Sequence, residues 1–257
     1  MKQEFRIFLT AVMFFTRIPV GKNLPYSENM LQQSARYFSW VGLLVGAFSA
    51  MIYWLSIDVF STNLCIAFSI LASILLTGAF HEDGFADCCD AFGGGWTKEK
   101  ILTIMKDSRL GTYGVVGLIG IIGFKFLLLQ SLQLTSSTLQ LLTIIITAHS
   151  FSRLMAVFTM QQLQYVQDID SSKSKPLANR KLSVLELTIA ISGSFIGFLA
   201  LPLIFTVTIP FVVITQYLAG LYFKKWIGGY TGDCLGATQQ ICEIVFYVAI
   251  IAITKFL

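Results

Sequence analysis

The sequence predicts an all-α protein, built as one polytopic membrane helix bundle with about seven transmembrane helices. Of its 257 residues, 55% are hydrophobic and only 12% are charged, and the mean hydropathy is +0.73. Soluble globular domains carry roughly 25% charged residues, so this composition excludes that class. The apolar residues also gather into stretches close to the ~20 residues that a helix needs to cross a bilayer. No Pro-, Gly- or Ser-rich linker divides the chain, and we expect a single domain over residues 1–257.

The first hydrophobic stretch, 5–20, differs from the others because it is short and carries Arg6 and Arg17. It ends near Pro19 rather than at a small-residue cleavage site, and we expect it to stay in the mature chain. Spanning the membrane, re-entering it and lying in its interface are all open for this eighth segment. Seven later apolar stretches are predicted as spans: 38–57, 63–80, 111–130, 138–160, 186–205, 210–223 and 241–256.

The distribution of Lys and Arg predicts which loops face the cytoplasm. The loops 58–62, 131–137 and 206–209 contain neither residue, whereas four longer loops are basic. The positive-inside rule places the basic loops in the cytoplasm. The net charge of +4 is modest, and most of the Lys and Arg residues lie in these loops, as topology requires, so the charge gives no basis for nucleic-acid binding. The predicted cytoplasmic loops are 21–37, 81–110, 161–185 and 224–240.

Residues 81–90 form an acidic stretch that directly follows a predicted span. If the stretch is helical, Asp83, Asp87 and Asp90 project from one face, where like charges repel one another. Hard cations such as Mg²⁺ prefer carboxylate oxygens and are often shared with substrate phosphates. Two interpretations are therefore open, a metal–phosphate site and a solvated helix end.

The same loop continues with glycines and with a second group of charged residues. Gly93 and Gly94 are of the type that lets backbone N–H groups approach an anion, and Lys106 and Arg109 can neutralise phosphate oxygens. Asp107 can join a metal shell or orient a neighbour. The ordinary interpretation is that the glycines turn a loop and the basic residues flank a span. The concentration of these residues beside three aspartates favours a phosphate site.

Two further groups of residues complete the candidate site. Residues 228–237 form a glycine-rich stretch before the last predicted span, and Gly232 and Asp233 lie within it. Asp233 could reach the same metal from across the bundle. His149 and Arg153 lie one turn apart on a predicted span, where ionisable residues are costly unless they are paired. We expect Arg153 to pair with an aspartate or a phosphate, and His149 to be a packed, hydrogen-bonded residue.

Three motifs, at 81–90, 106–114 and 228–237, together resemble the cobalamin synthase family, the adenosylcobinamide-GDP ribazoletransferases. They occur in the family's order, and the resemblance covers essentially the whole chain. It implies that α-ribazole, or its 5′-phosphate, is joined to adenosylcobinamide-GDP while GMP leaves, with Mg²⁺ required. It also implies an enzyme of the inner membrane of a bacterium or archaeon. Association with other cobalamin-assembly enzymes, or an amphiphilic corrinoid, would explain that location.

The implied chemistry agrees with the residue types. Attack by a ribazole hydroxyl on the cobinamide-linked phosphorus needs metal ions that neutralise the pyrophosphate, and carboxylates hold such ions. Glu82 is expected either to act as a base or to lie in the outer shell of the metal. The predicted metal ligands are Asp83, Asp87 and Asp90; the catalytic residues are Glu82, Asp107, Lys106 and Arg109; and the substrate-binding residues are Gly93, Gly94, Arg153, Gly232 and Asp233.

Two other functions are weighed against this one. A transporter would hold its acids near the membrane midplane, whereas the acids here lie at the end of a span and in loops, with no unexplained carboxylate at a span centre. A CDP-alcohol phosphotransferase performs a related displacement, but its motif has Arg where this chain has Asp87. Many members of the family that this chain resembles carry Tyr-Ala-Arg where this chain has Tyr165-Val166-Gln167, so Arg153 or Arg180 would replace that Arg if it binds substrate.

Overall fold

The computed structural model describes residues 2–21, 27–166 and 180–256, and these ranges are mainly helical. Within them the only β-contact is an isolated parallel bridge between Tyr165 and Tyr230. The all-α prediction is confirmed. The helices are α1 (Lys2–Phe15), α2 (Glu28–Ser34), α3 (Phe38–Ser56), α4 (Thr62–Thr77), α5 (Phe80–Gly94), α6 (Lys98–Met105), α7 (Thr112–Thr135), α8 (Thr138–Gln162), α9 (Val184–Leu199), α10 (Thr208–Ile227) and α11 (Gly232–Thr254), with 3₁₀ turns at Ala35–Tyr37 and Leu203–Val207.

The number of helices that can cross a membrane is five or six in the described residues, fewer than the seven predicted. The sixth depends on α4 and α5, which are long enough to cross a membrane only when taken together and which bend by 88° at their junction. α9 has only 16 residues, because it ends at Leu199 instead of continuing to 205. α1 has 14 residues and stacks Phe15 on Phe38 of α3, with ring centroids 4.1 Å apart. The five long helical segments are Glu28–Ser56, Thr112–Thr135, Thr138–Gln162, Leu203–Ile227 and Gly232–Thr254.

The sharp bend between α4 and α5 has a local backbone cause. Gly78 and Ala79 both adopt left-handed conformations, with φ of +69° and +59°. The amides of Gly78 and Ala79 close the end of α4 by donating to the carbonyls of Leu75 and Ile74. α5 therefore starts in a new direction, and the acidic stretch forms a separate helix beyond the end of α4.

The interior of the bundle is formed by α8 and α11. Within the apolar 18-residue stretch of each helix, 78% of the residues of α8 and 72% of those of α11 are buried. The corresponding buried fractions are 22% for α7 and 28% for the segment that contains α10, so these two helices present most of their surface outward. α3 packs closely on α8 because glycine occupies the contact. A Cβ atom on Gly42 would lie 2.6 Å from the Cα atom of Ser150. Small residues at such contacts are the usual way for membrane helices to approach one another.

Candidate active site

Two glycines bring the first and the last motif into contact. A Cβ atom on Gly84 of α5 would lie 3.0 Å from the Cα atom of Asp233. On α11, a Cβ atom on Gly236 would lie 3.0 Å from the His81 carbonyl oxygen and 3.3 Å from the Gly84 Cα atom. The two helices therefore touch through their backbones, and the contact places Asp233 against the acidic helix that carries Asp83.

The pKa of Asp87 reflects the closeness of the other aspartates at this contact. Burial, together with the negative charges of Asp233, Asp83 and Asp90, raises the pKa of the Asp87 carboxyl to about 7. Asp83 is exposed, and Asp87 and Asp233 are half-buried, so the cluster is open to solvent on one side. A cation bound among these carboxylates would relieve their mutual repulsion.

The side chain of Asp90 is hydrogen-bonded to the backbone at the start of α7. Its Oδ2 accepts a hydrogen bond of 2.7 Å from the Gly111 amide, and its Oδ1 accepts one of 2.8 Å from the Gly114 amide. A Cβ atom on either glycine would overlap the Asp90 carboxylate, which accounts for both glycines of the middle motif. Asp90 thus satisfies amides at a helix N-terminus. Its role as a metal ligand stays a prediction, since each carboxylate oxygen retains a further lone pair.

The donor set suits a hard cation that is shared with a substrate. Among the described residues, no three His, Cys, Asp or Glu side chains converge closely enough to hold a metal by themselves. Mg²⁺ commonly keeps several waters and binds only one or two carboxylates together with substrate phosphates. Carboxylates of Asp83, Asp87 and Asp233 that lie near one another without closing a cage fit that kind of site.

Glu82 faces away from this cluster and into the bundle. It is buried, and its Oε1 accepts a 2.8 Å hydrogen bond from Nε2 of Gln240 on α11. Its Oε2 is also buried and has no hydrogen-bond partner within the described ranges. The structure therefore separates the environment of Glu82 from that of the exposed Asp83, its neighbour in sequence.

The charged residues of the middle motif lie on the surface loop between α6 and α7. Nη2 of Arg109 lies 2.6 Å from Oδ2 of Asp107, and Nε of Arg109 lies 3.0 Å from Oδ1. Hydrogen bonds from Arg109 lower the pKa of the Asp107 carboxyl to about 2, which keeps it ionised. Lys106 follows α6 directly and is exposed. A phosphate bound by Arg109 would compete with Asp107 for the guanidinium.

The glycines predicted to cradle a phosphate end a helix instead of forming an open loop. Gly93 and Gly94 are the last residues of α5. A Cβ atom on Gly93 would lie 2.7 Å from the Tyr113 ring, so this glycine admits the ring, whereas Gly94 is exposed. Gly232 opens α11, where the Thr231 hydroxyl caps the helix by accepting from the Cys234 amide at 3.3 Å.

A buried polar network at the centre of the bundle includes residues that the sequence analysis missed. Nζ of Lys125 on α7 lies 3.1 Å from Oε1 of Glu243 on α11. Oε2 of Glu243 accepts from Gln239 at 2.8 Å, and Oε1 accepts from Tyr247 at 3.1 Å. The sequence analysis expected no unexplained carboxylate at the centre of a span. Because α11 begins at Gly232, Glu243 falls in the middle of this helix, and its pairing with Lys125 accounts for it. The signal was present in the sequence as a Lys and a Glu inside apolar stretches.

Arg153 belongs to the same interior. It is 1% exposed and donates a 2.9 Å hydrogen bond from Nη1 to the His149 carbonyl oxygen. Its guanidinium lies 5.9 Å from the centroid of the Phe38 ring. His149 is buried and hydrogen-bonded, as expected. Gln167, which stands where many family members carry Arg, lies outside the described residues. Arg180, one of the two residues considered as a replacement for that Arg, pairs with Glu186.

The comparisons with known proteins agree on one family. The sequence pattern of the family described as cobalamin-5-phosphate synthase matches residues 7–251. Three relatives are named adenosylcobinamide-GDP ribazoletransferase. The Vibrio cholerae protein is 42% identical over 98% of this chain and 95% of its own, and the Vibrio parahaemolyticus protein is 40% identical over 98% and 94%. The Shewanella frigidimarina protein is 42% identical over 98% and 96%.

No solved structure matches this chain. Similarity at this level over nearly the full length of the sequence, with the motifs of α5, α7 and α11 meeting at one end of the fold, leads to one assignment. This chain belongs to the cobalamin-5-phosphate synthase family.

Proposed function

We propose that this protein is an adenosylcobinamide-GDP ribazoletransferase, which joins α-ribazole or its 5′-phosphate to adenosylcobinamide-GDP and releases GMP. The name of its relatives, at 40–42% identity over nearly the whole chain, supports this assignment. The observation that carries it is the backbone contact of Gly84 with Asp233, because that contact gathers carboxylates from two distant motifs at one place.

The reaction is a displacement at phosphorus. The ribazole hydroxyl oxygen forms a bond to the phosphorus that carries cobinamide, the bond from that phosphorus to the GMP oxygen breaks, and the hydroxyl loses its proton. When bound, Mg²⁺ would neutralise the pyrophosphate. Asp83, Asp87 and Asp233 would hold that ion, and Lys106 and Arg109 would bind the pyrophosphate or the departing GMP. Because Glu82 faces the interior, we assign it no direct contact with substrate.

We further propose that the protein lies in the inner membrane with its acidic cluster on the cytoplasmic side. Basic residues occupy the same end of the fold as the cluster, in the loop after α6 and in the last turn of α10, where Lys224 and Lys225 lie. The positive-inside rule assigns such an end to the cytoplasm. Nucleotide-linked substrates are soluble there.

The transporter hypothesis required a membrane-buried acid, and Glu243 is one. Its carboxylate is already compensated, however, since Lys125 lies 3.1 Å away and Gln239 and Tyr247 donate to it. This arrangement leaves no net negative charge at that site for a coupling cation. The geometry therefore favours the transferase.

The decisive experiment uses the purified protein in liposomes with adenosylcobinamide-GDP and α-ribazole. We expect GMP and a cobalamin product in the presence of Mg²⁺, and neither after EDTA treatment, with recovery when Mg²⁺ is restored. Product formation that is unaffected by EDTA would contradict the metal assignment. The absence of product under every condition would contradict the proposed function.

A further inference from the structure

A chain of buried polar side chains connects the acidic helix to the centre of the bundle. Nε2 of Gln240 donates to Oε1 of Glu82 at 2.8 Å, and Oε1 of Gln240 accepts from Nζ of Lys125 at 3.1 Å. Lys125 in turn pairs with Glu243 at 3.1 Å. The four side chains belong to three helices, α5, α7 and α11, and their exposed fractions range from 0% to 7%.

The chemistry of the neighbours fixes the orientation of the Gln240 amide. An ammonium group can only donate hydrogen bonds. The amide must therefore direct its oxygen at Lys125, which leaves its NH₂ group for Glu82. The reversed amide would oppose two donors in a buried site, which is costly. Gln240 thus joins Glu82 to the Lys125–Glu243 ion pair in one arrangement only.

This connection bears on the acidic cluster because Glu82 directly precedes Asp83. Successive residues of a helix are about 100° apart, so holding Glu82 inward fixes the direction in which Asp83 and Asp87 project. The contact between Gly84 and Gly236 brings the two helices close, but it offers no side chains that interlock. The rotation of α5 is therefore set by contacts on either side of the glycines, which include the stacking of Phe92 on Phe223, the hydrogen bonds of Asp90 to α7 and the bond between Glu82 and Gln240. Of these, the bond of Glu82 is the one next to Asp83 in the chain.

We propose that Gln240 and Lys125 are positioning residues, which hold α5 in the rotation that directs Asp83 and Asp87 toward Asp233. This inference rests on the proposed function through the role of these aspartates as metal ligands. Gln240 and Lys125 would thus contribute to metal binding from the membrane interior, although they contact neither the substrate nor the ion. Their effect on the ion is exerted through the Glu82 carboxylate.

The test measures Mn²⁺ binding to the purified protein by electron paramagnetic resonance without substrate, both alone and with inorganic phosphate, which supplies the phosphate oxygens that this site is proposed to share with a bound ion. We expect Gln240→Leu to weaken binding by about tenfold, the lower end of the cost of losing a direct hydrogen-bond partner of a metal ligand, because Gln240 acts one residue away from Asp83. Gln216→Leu is the matched control, because Gln216 is equally buried but donates to Thr159 and Gln162, away from α5. It should bind Mn²⁺ like the parent protein. Gln240→Asn, which keeps a buried amide but is too short to span both partners, serves if Gln240→Leu does not fold.

A double-mutant cycle identifies the route of the effect. If Gln240 acts through Glu82, the losses of Mn²⁺ affinity should not add. The double variant Glu82→Leu/Gln240→Leu should then bind Mn²⁺ about as well as whichever single variant, Glu82→Leu or Gln240→Leu, has the lower affinity. Additive losses, or equal binding by the Gln240 variants and the Gln216 control, would overturn the inference. A parent protein that binds no Mn²⁺ would also overturn it. Absence of GMP release overturns only the proposed function, because this comparison uses no substrate.

Discussion

Asp87 is the residue whose titration the structure ties most directly to the candidate site. Its pKa of about 7 means that the carboxyl holds a proton through most of the acidic range, in contrast to an ordinary aspartate. A bound cation favours the ionised form, so binding below this pKa must displace the proton. Metal affinity should therefore rise with pH up to about 7 and level off above it.

The first prediction follows from that linkage. Between pH 7 and pH 5 we expect Mn²⁺ affinity to fall by up to about tenfold per pH unit, as calorimetric titration at several pH values would show. Asp87→Asn has no proton to displace at this position and should bind more weakly, with a flatter pH profile. An unchanged slope in that variant would mean that another group controls the pH dependence.

The second prediction concerns the aspartates individually. Asp83→Asn and Asp87→Asn each remove one charged oxygen donor from the proposed ion site and should abolish Mg²⁺-dependent GMP release while leaving membrane insertion intact. Glu99→Gln is a suitable control, because Glu99 is an exposed acid on α6 outside the cluster. Full activity in both aspartate variants would refute their assignment as ligands.

At the scale of the helices, the contact between α5 and α11 depends on glycine. Gly84→Ala should force the two helices apart, since the added Cβ atom would meet the Asp233 backbone at 3.0 Å. We expect a loss of GMP release of at least about tenfold at Mg²⁺ concentrations that saturate the parent, because sub-ångström misplacement of a site is costly.

Gly120→Ala is the matched control on α7, where an added Cβ atom would have nothing within 4 Å. That change should leave activity intact and raise helix stability by up to about 1 kcal/mol. Equal effects of Gly84→Ala and Gly120→Ala on GMP release would mean that close helix contact is not required.

Helix boundaries show where the sequence was informative and where it was not. The apolar stretches predicted that the helices exist. Because several helices extend into polar sequence, hydropathy did not predict the residues at which they begin. The Ser27 side chain caps the amide of Met30, and the helical segment to Ser56 begins well before the predicted start at Phe38. α11 likewise begins before its predicted start at 241, at Gly232 after the Thr231 cap, and its first turns carry Gln239 and Gln240, which are buried against partners from distant helices. Hydropathy along the chain does not register such partners.

The residue types of the candidate site could be predicted from the sequence, but the contacts that each residue makes could not. Asp83, Asp87 and Asp90 were expected to share one face only if their stretch, placed within the loop 81–110, is helical, and α5 shows that it is. The sequence could not show that Asp90 serves the amides of α7 while Glu82 turns inward, because both facts depend on contacts with residues far along the chain.

For the whole molecule, stability depends on charges held inside the membrane domain. Lys125→Met would remove the ion-pair partner of Glu243, a carboxylate at 0% exposure, which should destabilise the bundle by up to about 3–5 kcal/mol. Thermal unfolding in detergent would measure this loss as a lower Tm.

The double variant Lys125→Met/Glu243→Met supplies the control for that prediction. Replacing both members of a buried ion pair by apolar residues is often neutral, so its Tm should recover most of the loss. A double variant less stable than Lys125→Met alone would mean that Glu243 supports the fold through its other contacts, with Gln239 and Tyr247.

The bend after Gly78 has a consequence for the surrounding bilayer. α4 has 16 residues, and a helix of that length spans only about 24 Å, less than the ~30 Å hydrocarbon core of a typical membrane. Such hydrophobic mismatch is met by local thinning of the lipid or by drawing polar residues toward the headgroups. The acidic helix begins just after the bend that ends this short helix, so lipid acyl-chain length becomes one of the variables that set how deep the carboxylates lie relative to the headgroup layer.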